Sequence, residues 1–174
     1  NKCDNKSKLY YDNKKILKHH DLDFIINKNN EILNMHIQKM CCTNKNWLDL
    51  GCGSGKLIKI IKNYNPKNYT GIDIDIKQLL KAVNNNDNYI FNTCDLSLEN
   101  WNDYPIKWRT INKIKYDYIV ANFSLMHFFN DNFFRQLNEL VLTGSKFLFN
   151  MVSNLNKEWS KEWTNKNLDS YLKI

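Results

Sequence analysis

Gly51, Gly53 and Gly55 stand at alternate positions directly after the apolar stretch Trp47-Leu48-Asp49-Leu50. Only Cys52 and Ser54, both small, separate them. Without a Cβ the chain can turn here and bring its backbone within van der Waals contact of a flat ligand such as a nucleoside. The pattern Leu57, Ile58, Ile60, Ile61 predicts a helix straight after the turn, whose first N–H groups would point at the same place. Acids flank the turn. Asp49 lies two residues before Gly51, and Asp73 ends the stretch Tyr69-Thr70-Gly71-Ile72-Asp73. A carboxylate has two acceptor oxygens, which match the vicinal hydroxyls of a ribose. Asp95, in Asn92-Thr93-Cys94-Asp95-Leu96, is a third candidate acceptor, or else the N-cap of a following helix. Incidental glycines in a plain strand-to-helix turn are the structural alternative.

A second group of candidates is Asn122, Phe123, His127 and Phe128, in the run Tyr116-Asp117-Tyr118-Ile119-Val120-Ala121-Asn122-Phe123-Ser124-Leu125-Met126-His127-Phe128-Phe129. Ring faces such as these stack on a planar base, and the attraction grows if the base is cationic. The plainer reading is that these rings pack the edge of a strand. No metal is expected: His19, His20 and His36 lack metal-ligand spacing with acids, and the five cysteines include no C-x-x-C pair. His36 is expected in the core or at its rim. Trp159 and Trp163, four residues apart, predict a short amphipathic helix that packs rather than binds.

These residues need a scaffold, and the chain spells one out. Residues 1–45 read as a polar arm followed by a helix, with Ile32, Leu33, His36, Ile37 and Met40 at helical spacing. From residue 46 strands and helices alternate. The strands are expected at 46–50, 69–73, 89–92, 116–121 and 146–152. The helices are expected at 55–64, 76–83 and 132–141, the last ended by Gly144. Residues 95–115, with Trp101, Pro105 and Trp108, read as irregular. Such alternation predicts an α/β fold, a mostly parallel sheet with helices on both faces. In such sheets ligands lie beyond the carboxyl ends of the strands, and an acid some 20 residues beyond a glycine turn grips a ribose. Residues 46–152 form the expected binding core. Residues 153–174 form a C-terminal segment expected to continue into a larger protein, since the first residue is Asn1 and the sheet looks incomplete.

The 174 residues fit one domain with a real core. A formal charge of +7 favours an anionic partner such as RNA. Arg109 and Arg135 are the only arginines, however, so part of the lysine excess reads as codon bias. The five cysteines, with Cys41 and Cys42 adjacent, do not form a disulfide framework, which points to a reducing, cytoplasmic compartment. No signal peptide or membrane-length apolar run occurs, so no membrane partner is expected.

The segment from Asp49 to Gly55 resembles motif I, D-x-G-x-G-x-G, of the class I S-adenosylmethionine-dependent methyltransferases, a Rossmann-like family. The resemblance covers roughly residues 46–152. It implies S-adenosylmethionine as cofactor, with S-adenosylhomocysteine as product. It implies a methionine site at Asp49, Gly51, Cys52, Gly53 and Gly55, and a ribose site at Asp73 and Ile74. It further implies an adenine site at Asp95 and Leu96, with Asn122 beside the cofactor. Transfer from a sulfonium requires alignment and exclusion of water, so no catalytic base is implied. Residues 116–129 look like F-D-x-x-x-x-Q-F-x-x-H-Y-x-F of the mRNA cap guanine-N7 methyltransferases, including those of large DNA viruses. Asn122 falls on the Gln and Phe123 on the first Phe of the pair, while Met126 and His127 replace the family's His and Tyr. Asn29-Asn30 resembles an Asn pair upstream of motif I in the same enzymes, although Leu33 stands where they carry a Lys. The implied acceptor is the guanine of a 5′ RNA cap, held near Phe123, His127 and Phe128. The implied setting is a capping enzyme with further domains or subunits, in the cytoplasm, a virion or a viral factory. Two alternatives stand beside it: methylation of a tRNA or rRNA base or a small metabolite, and a non-catalytic subunit that stabilises a partner. No N-P-P-Y or D-P-P-Y follows the fourth strand, which disfavours methylation of exocyclic amines.

Overall fold

The computed structural model describes residues 19–40, 42–84, 86, 88–97, 114–122, 124, 125, 128 and 130–150. Helix α1 (His19–Lys39) leads into β1 (Asn46–Leu50). Helix α2 (Ile58–Ile61) follows and tightens into a 3-10 turn, Lys62–Tyr64. Then come β2 (Asn68–Asp73), α3 (Ile76–Asn84), β3 (Ile90–Thr93), β4 (Tyr116–Asn122), α4 (Asp131–Asn138) and β5 (Val141–Asn150). The five strands make one parallel sheet in the order β3-β2-β1-β4-β5. The chain builds outward from β1 to β3, then returns to the other side of β1 for β4. The reversal leaves a crevice beyond the carboxyl ends of β1 and β4, which is where ligands bind in such sheets.

β1 is buried on both faces from Trp47 to Leu50, which is why Trp47, Leu48 and Leu50 do not alternate with exposed polar residues; Asp49 is the one acid within it. On one face Trp47, Tyr69, Phe91 and Tyr118 pack against Leu33 and Ile37 of α1, Ile58 and Ile61 of α2, and Leu79 and Ala82 of α3. On the other, Leu48, Leu50, Ile72 and Ile119 meet Phe133, Phe134 and Leu137 of α4. The Asn130 side chain starts α4 by accepting the Phe133 N–H at 2.9 Å, an N-cap that frees no donor into the core.

Three local expectations are revised. The helix expected from Gly55 begins only at Ile58, because Gly51, Gly53 and Gly55 all adopt positive φ and cannot be helical. The N–H groups of Ile58, Lys59 and Ile60 already donate to the carbonyls of Gly55, Lys56 and Leu57, at 3.1, 3.3 and 2.9 Å. Gly144 does not end a helix. α4 stops at Asn138, and Gly144 (φ +86°) sits inside β5, where the register against β4 slips between Tyr116 and Tyr118. Ser145 closes that bulge: its hydroxyl accepts the Leu142 N–H and donates to the Tyr116 carbonyl, both at 2.7 Å. Ile32 and Met35 face solvent, so only Leu33 and Ile37 of the second half of α1 anchor that helix in the core. The expected N-terminal arm, most of the irregular stretch around Trp101 and Trp108, and the Trp159/Trp163 helix lie outside the described residues.

Candidate functional site

The glycine turn is fastened to the sheet at both sides. The Gly51 and Cys52 N–H groups both donate to the Ile72 carbonyl of β2, at 2.7 and 3.0 Å. Opposite, the Ser124 hydroxyl donates to the Leu50 carbonyl, and a Cβ on Gly51 would lie 2.3 Å from the Ser124 Cβ. Gly55 lies against Ile58 and Ala82, where a Cβ would meet them at 3.1 and 3.2 Å. Gly53 differs: a Cβ there would meet nothing within 4 Å, so its missing side chain leaves open space over the turn.

Asp73 borders that space. Its Oδ2 accepts the Gly53 N–H at 2.7 Å and its Oδ1 accepts the Asp75 N–H at 2.8 Å. Burial raises its pKa above the ordinary carboxylate value, against the pull of these N–H bonds. Ile74 follows it, partly exposed at the same rim.

Asp49 lies beneath the turn, 2 % exposed. The buried Tyr69 hydroxyl donates to its Oδ2 at 2.5 Å. Desolvation lifts the Asp49 pKa to about 7, the Tyr69 bond opposes the rise, and the Asp73 charge adds to it. Burial also pushes the Cys52 thiol well up, with Asp49 and Asp73 adding to the effect, so Cys52 is an inert packing residue. Its sulfur occupies the room left by Gly71, where a Cβ would meet it at 2.8 Å.

At the end of β3, the Asp95 Oδ1 accepts from both the backbone N–H (3.0 Å) and the hydroxyl (2.6 Å) of Ser97. This is a local turn in which the carboxylate holds the backbone two residues on; the helix N-cap weighed as its alternative role falls on residues 98–100, outside the described ones. Leu96 is buried with the core on the α4 side.

Asn122 ends β4, and its Nδ2 donates to Asn30 Oδ1 of α1 at 3.4 Å. The pair sits beside a cleft of about 290 Å³ lined by Ile32 and His36 of α1, Val120 and Asn122 of β4, and Phe147 and Phe149 of β5. His36 is therefore a rim residue, exposed on α1. Phe128 was expected as a substrate ring, but it is 7 % exposed and packs at 5.0 Å on Phe133, so the structure places it in the core. Phe123 and His127 lie outside the described residues. Sequence reasoning gave no role to Tyr69 or Ser124. The contacts that matter for them span β1 to β2 and β1 to the end of β4, and no local motif signals them.

The residues at the turn fit S-adenosylmethionine. Gly53 leaves the room, and the Asp73 carboxylate, with about four lone-pair sites, keeps capacity for a ribose hydroxyl beside its backbone N–H bonds. Among the described residues no cluster of three or more His, Cys, Asp or Glu side chains is poised to hold a metal.

The sequence matches the model of a methyltransferase domain family over residues 43–173. No curated protein matches it. Among solved structures, the PH0226 protein from Pyrococcus horikoshii OT3 is 21% identical, with a TM-score of 0.53 over 71% of this chain and 57% of that one. A TehB-like S-adenosylmethionine-dependent methyltransferase from Corynebacterium glutamicum is 15% identical, with a TM-score of 0.50 over 68% and 62%. An S-adenosylmethionine-dependent methyltransferase from Mesorhizobium loti is 19% identical, with a TM-score of 0.49 over 62% and 47%. The chain thus spans about half the length of the first structures it matches. At these identities the likeness speaks for the fold, and the family match speaks for descent. With its glycine turn, its acid at the end of β2 and a match over three quarters of its length, the chain belongs to the methyltransferase domain family and has the class I S-adenosylmethionine-dependent methyltransferase fold.

Proposed function

We propose that this domain binds S-adenosylmethionine over the carboxyl ends of β1, β2 and β3 and methylates a nucleobase nitrogen, with the N7 of an RNA cap guanine as the acceptor. The observation that carries the cofactor half is the Gly53–Asp73 hydrogen bond beside the open space over Gly53. The cofactor supplies an activated methyl on a sulfonium. The protein's own part is positioning. Asp73 orients the ribose, the backbone of residues 51–55 passes beneath the ligand, and Ser124 holds the turn against β4. A neutral ring nitrogen needs no base, so alignment and exclusion of water suffice.

The acceptor half rests on the likeness of residues 116–129 to cap enzymes and on the Asn30–Asn122 pair. Two amides from different elements meet there, and amides are the side chains whose paired donor and acceptor match a purine edge. The positive charge of the chain suits RNA. A capping enzyme with further domains is the setting that this reading proposes. A second reading, a small planar metabolite as acceptor, is favoured by the modest size and largely apolar walls of the cleft under α1. The test is transfer of labelled methyl from S-adenosylmethionine to matched capped and uncapped RNAs, with the products digested. Label confined to the terminal guanine supports the cap reading, and label in the RNA body overturns it in favour of an internal base. Cofactor binding with no RNA label shifts the acceptor to a small molecule or makes the domain a non-catalytic subunit.

A further inference from the structure

Two carboxyl groups lie close enough to repel one another at the glycine turn, Asp49 buried beneath it and Asp73 at its border. Asp49 pairs across the strands with Gly71, so Asp73, two residues further along β2, lies on the same side of the sheet. Among the described residues neither acid has a Lys, Arg or His ion-pair partner. The groups around Asp49 are uncharged or acidic. β2 supplies the Tyr69 hydroxyl and Asp73, and the turn supplies the Cys52 thiol. Tyr89 lies beyond Tyr69, while Tyr118 of β4 stacks on Trp47. Of the helices on this face, α1 places Leu33, α2 Ile58 and α3 Leu79 against the sheet, and His36 of α1 stands at the rim of the cleft beside β4. A second carboxylate added to this setting is costly unless a cation arrives.

Building on the cofactor reading above, we infer that Asp49, gripped by Tyr69 and opposed by Asp73, senses the cofactor's charge: it carries a proton in the free domain and releases it to solvent when the sulfonium form binds. The bond that breaks is the carboxyl O–H, and the proton goes to buffer. The Tyr69 hydroxyl remains the donor to the carboxylate left behind. S-adenosylmethionine carries one positive charge more than its demethylated product. It therefore stabilises the ionised pair more, and the site binds donor in preference to product by an amount that grows with pH. The pKa of about 7 puts this exchange near neutrality.

The experiment is calorimetry of S-adenosylmethionine and S-adenosylhomocysteine binding in buffers of different ionisation enthalpy, between pH 6 and 8, on the whole chain. The expected result at pH 7 is release of roughly half a proton per donor bound and less for the product, with donor affinity rising about tenfold from pH 6 to 8 through this group. Asp49→Asn removes the release. Tyr69→Phe, which deletes the bond favouring the ionised form, moves the release to higher pH. Wild-type binding without release, or the same release in Asp49→Asn, overturns the inference and leaves the cofactor reading standing. Failure of the wild type to bind either ligand at any pH overturns the cofactor reading itself, and this inference with it.

Discussion

Asp73 is held by backbone N–H groups, those of Gly53 and Asp75 among them, before any ligand arrives, so its geometry costs the bound state little to arrange. Replacing it with Ala removes a charged acceptor and frees the Gly53 N–H. The expected loss of S-adenosylmethionine affinity is about tenfold or more, read by calorimetry. Unchanged affinity would remove this acid from the site. Asp49 makes a different prediction. Its folded pKa is raised, so the folded state binds its proton more tightly than the unfolded chain does. That contribution is fully present below the unfolded value near 4 and is lost as pH rises through about 7. The ligand-free domain should therefore be less stable at pH 8 than at pH 5, by on the order of a few kcal/mol from this one group, and melt at a lower temperature. Asp49→Asn should flatten that dependence, and parallel melting profiles of the two proteins would refute the assignment. The acids and glycines of the turn were legible because one strand, one turn and the next strand's end are spelled out within 25 residues. Tyr69 and Ser124 were not: whether they touch Asp49 and Leu50 depends on strand register, which local patterning does not fix. Phe128 was misplaced for the same reason, since an aromatic side chain after a strand looks alike whether it faces ligand or α4.

The turn, as an element, uses its glycines in different ways, and substitution separates them. Gly53→Ala adds a methyl to open space, so its main cost is a left-handed residue, about 1–2 kcal/mol. The fold should survive, while the methyl obstructs the ligand: near-normal melting with weakened cofactor binding is the expected pair of results. Gly51→Ala carries the same backbone cost and also collides with Ser124, adding about 1–3 kcal/mol. Adding Ser124→Gly should recover the collision part only, measured by thermal melting of the double variant. Similar melting of the two single variants would contradict the close approach of β1 and β4. Strand β1 was readable to the residue, because its large apolar side chains Trp47, Leu48 and Leu50 end directly at the glycine turn. Helix starts were less readable: apolar spacing begins at Leu57, but the backbone cannot become helical until it leaves the last positive-φ glycine. The stretch before Lys146 looked like a helix end followed by a turn, since a bulge and a helix stop both favour glycine.

For the whole molecule, the two faces of the sheet are packed independently, by α1, α2 and α3 on one side and α4 on the other. Phe133 is fully buried and touches both Phe128 and Phe134. Phe133→Ala should cost about 3–5 kcal/mol, a large share of the stability of a domain this size, and would show in a denaturant midpoint. Among the described residues no helix is long and apolar enough to cross a membrane. The strand order has one further consequence. Its two margins are unlike: β3 is four residues long, whereas β5 is ten and carries a bulge near its start. A short margin offers little to pair with, and a bulge spoils the template where it lies. Among the described residues, 146–150 are the longer regular border of the sheet, the one against which a further strand, of the same polypeptide or of a neighbour, would find a straight template. The direction of growth is written into the architecture. Hydrogen exchange would register it as alternate fast amides along that stretch in the unextended sheet, all slowed once another strand is added.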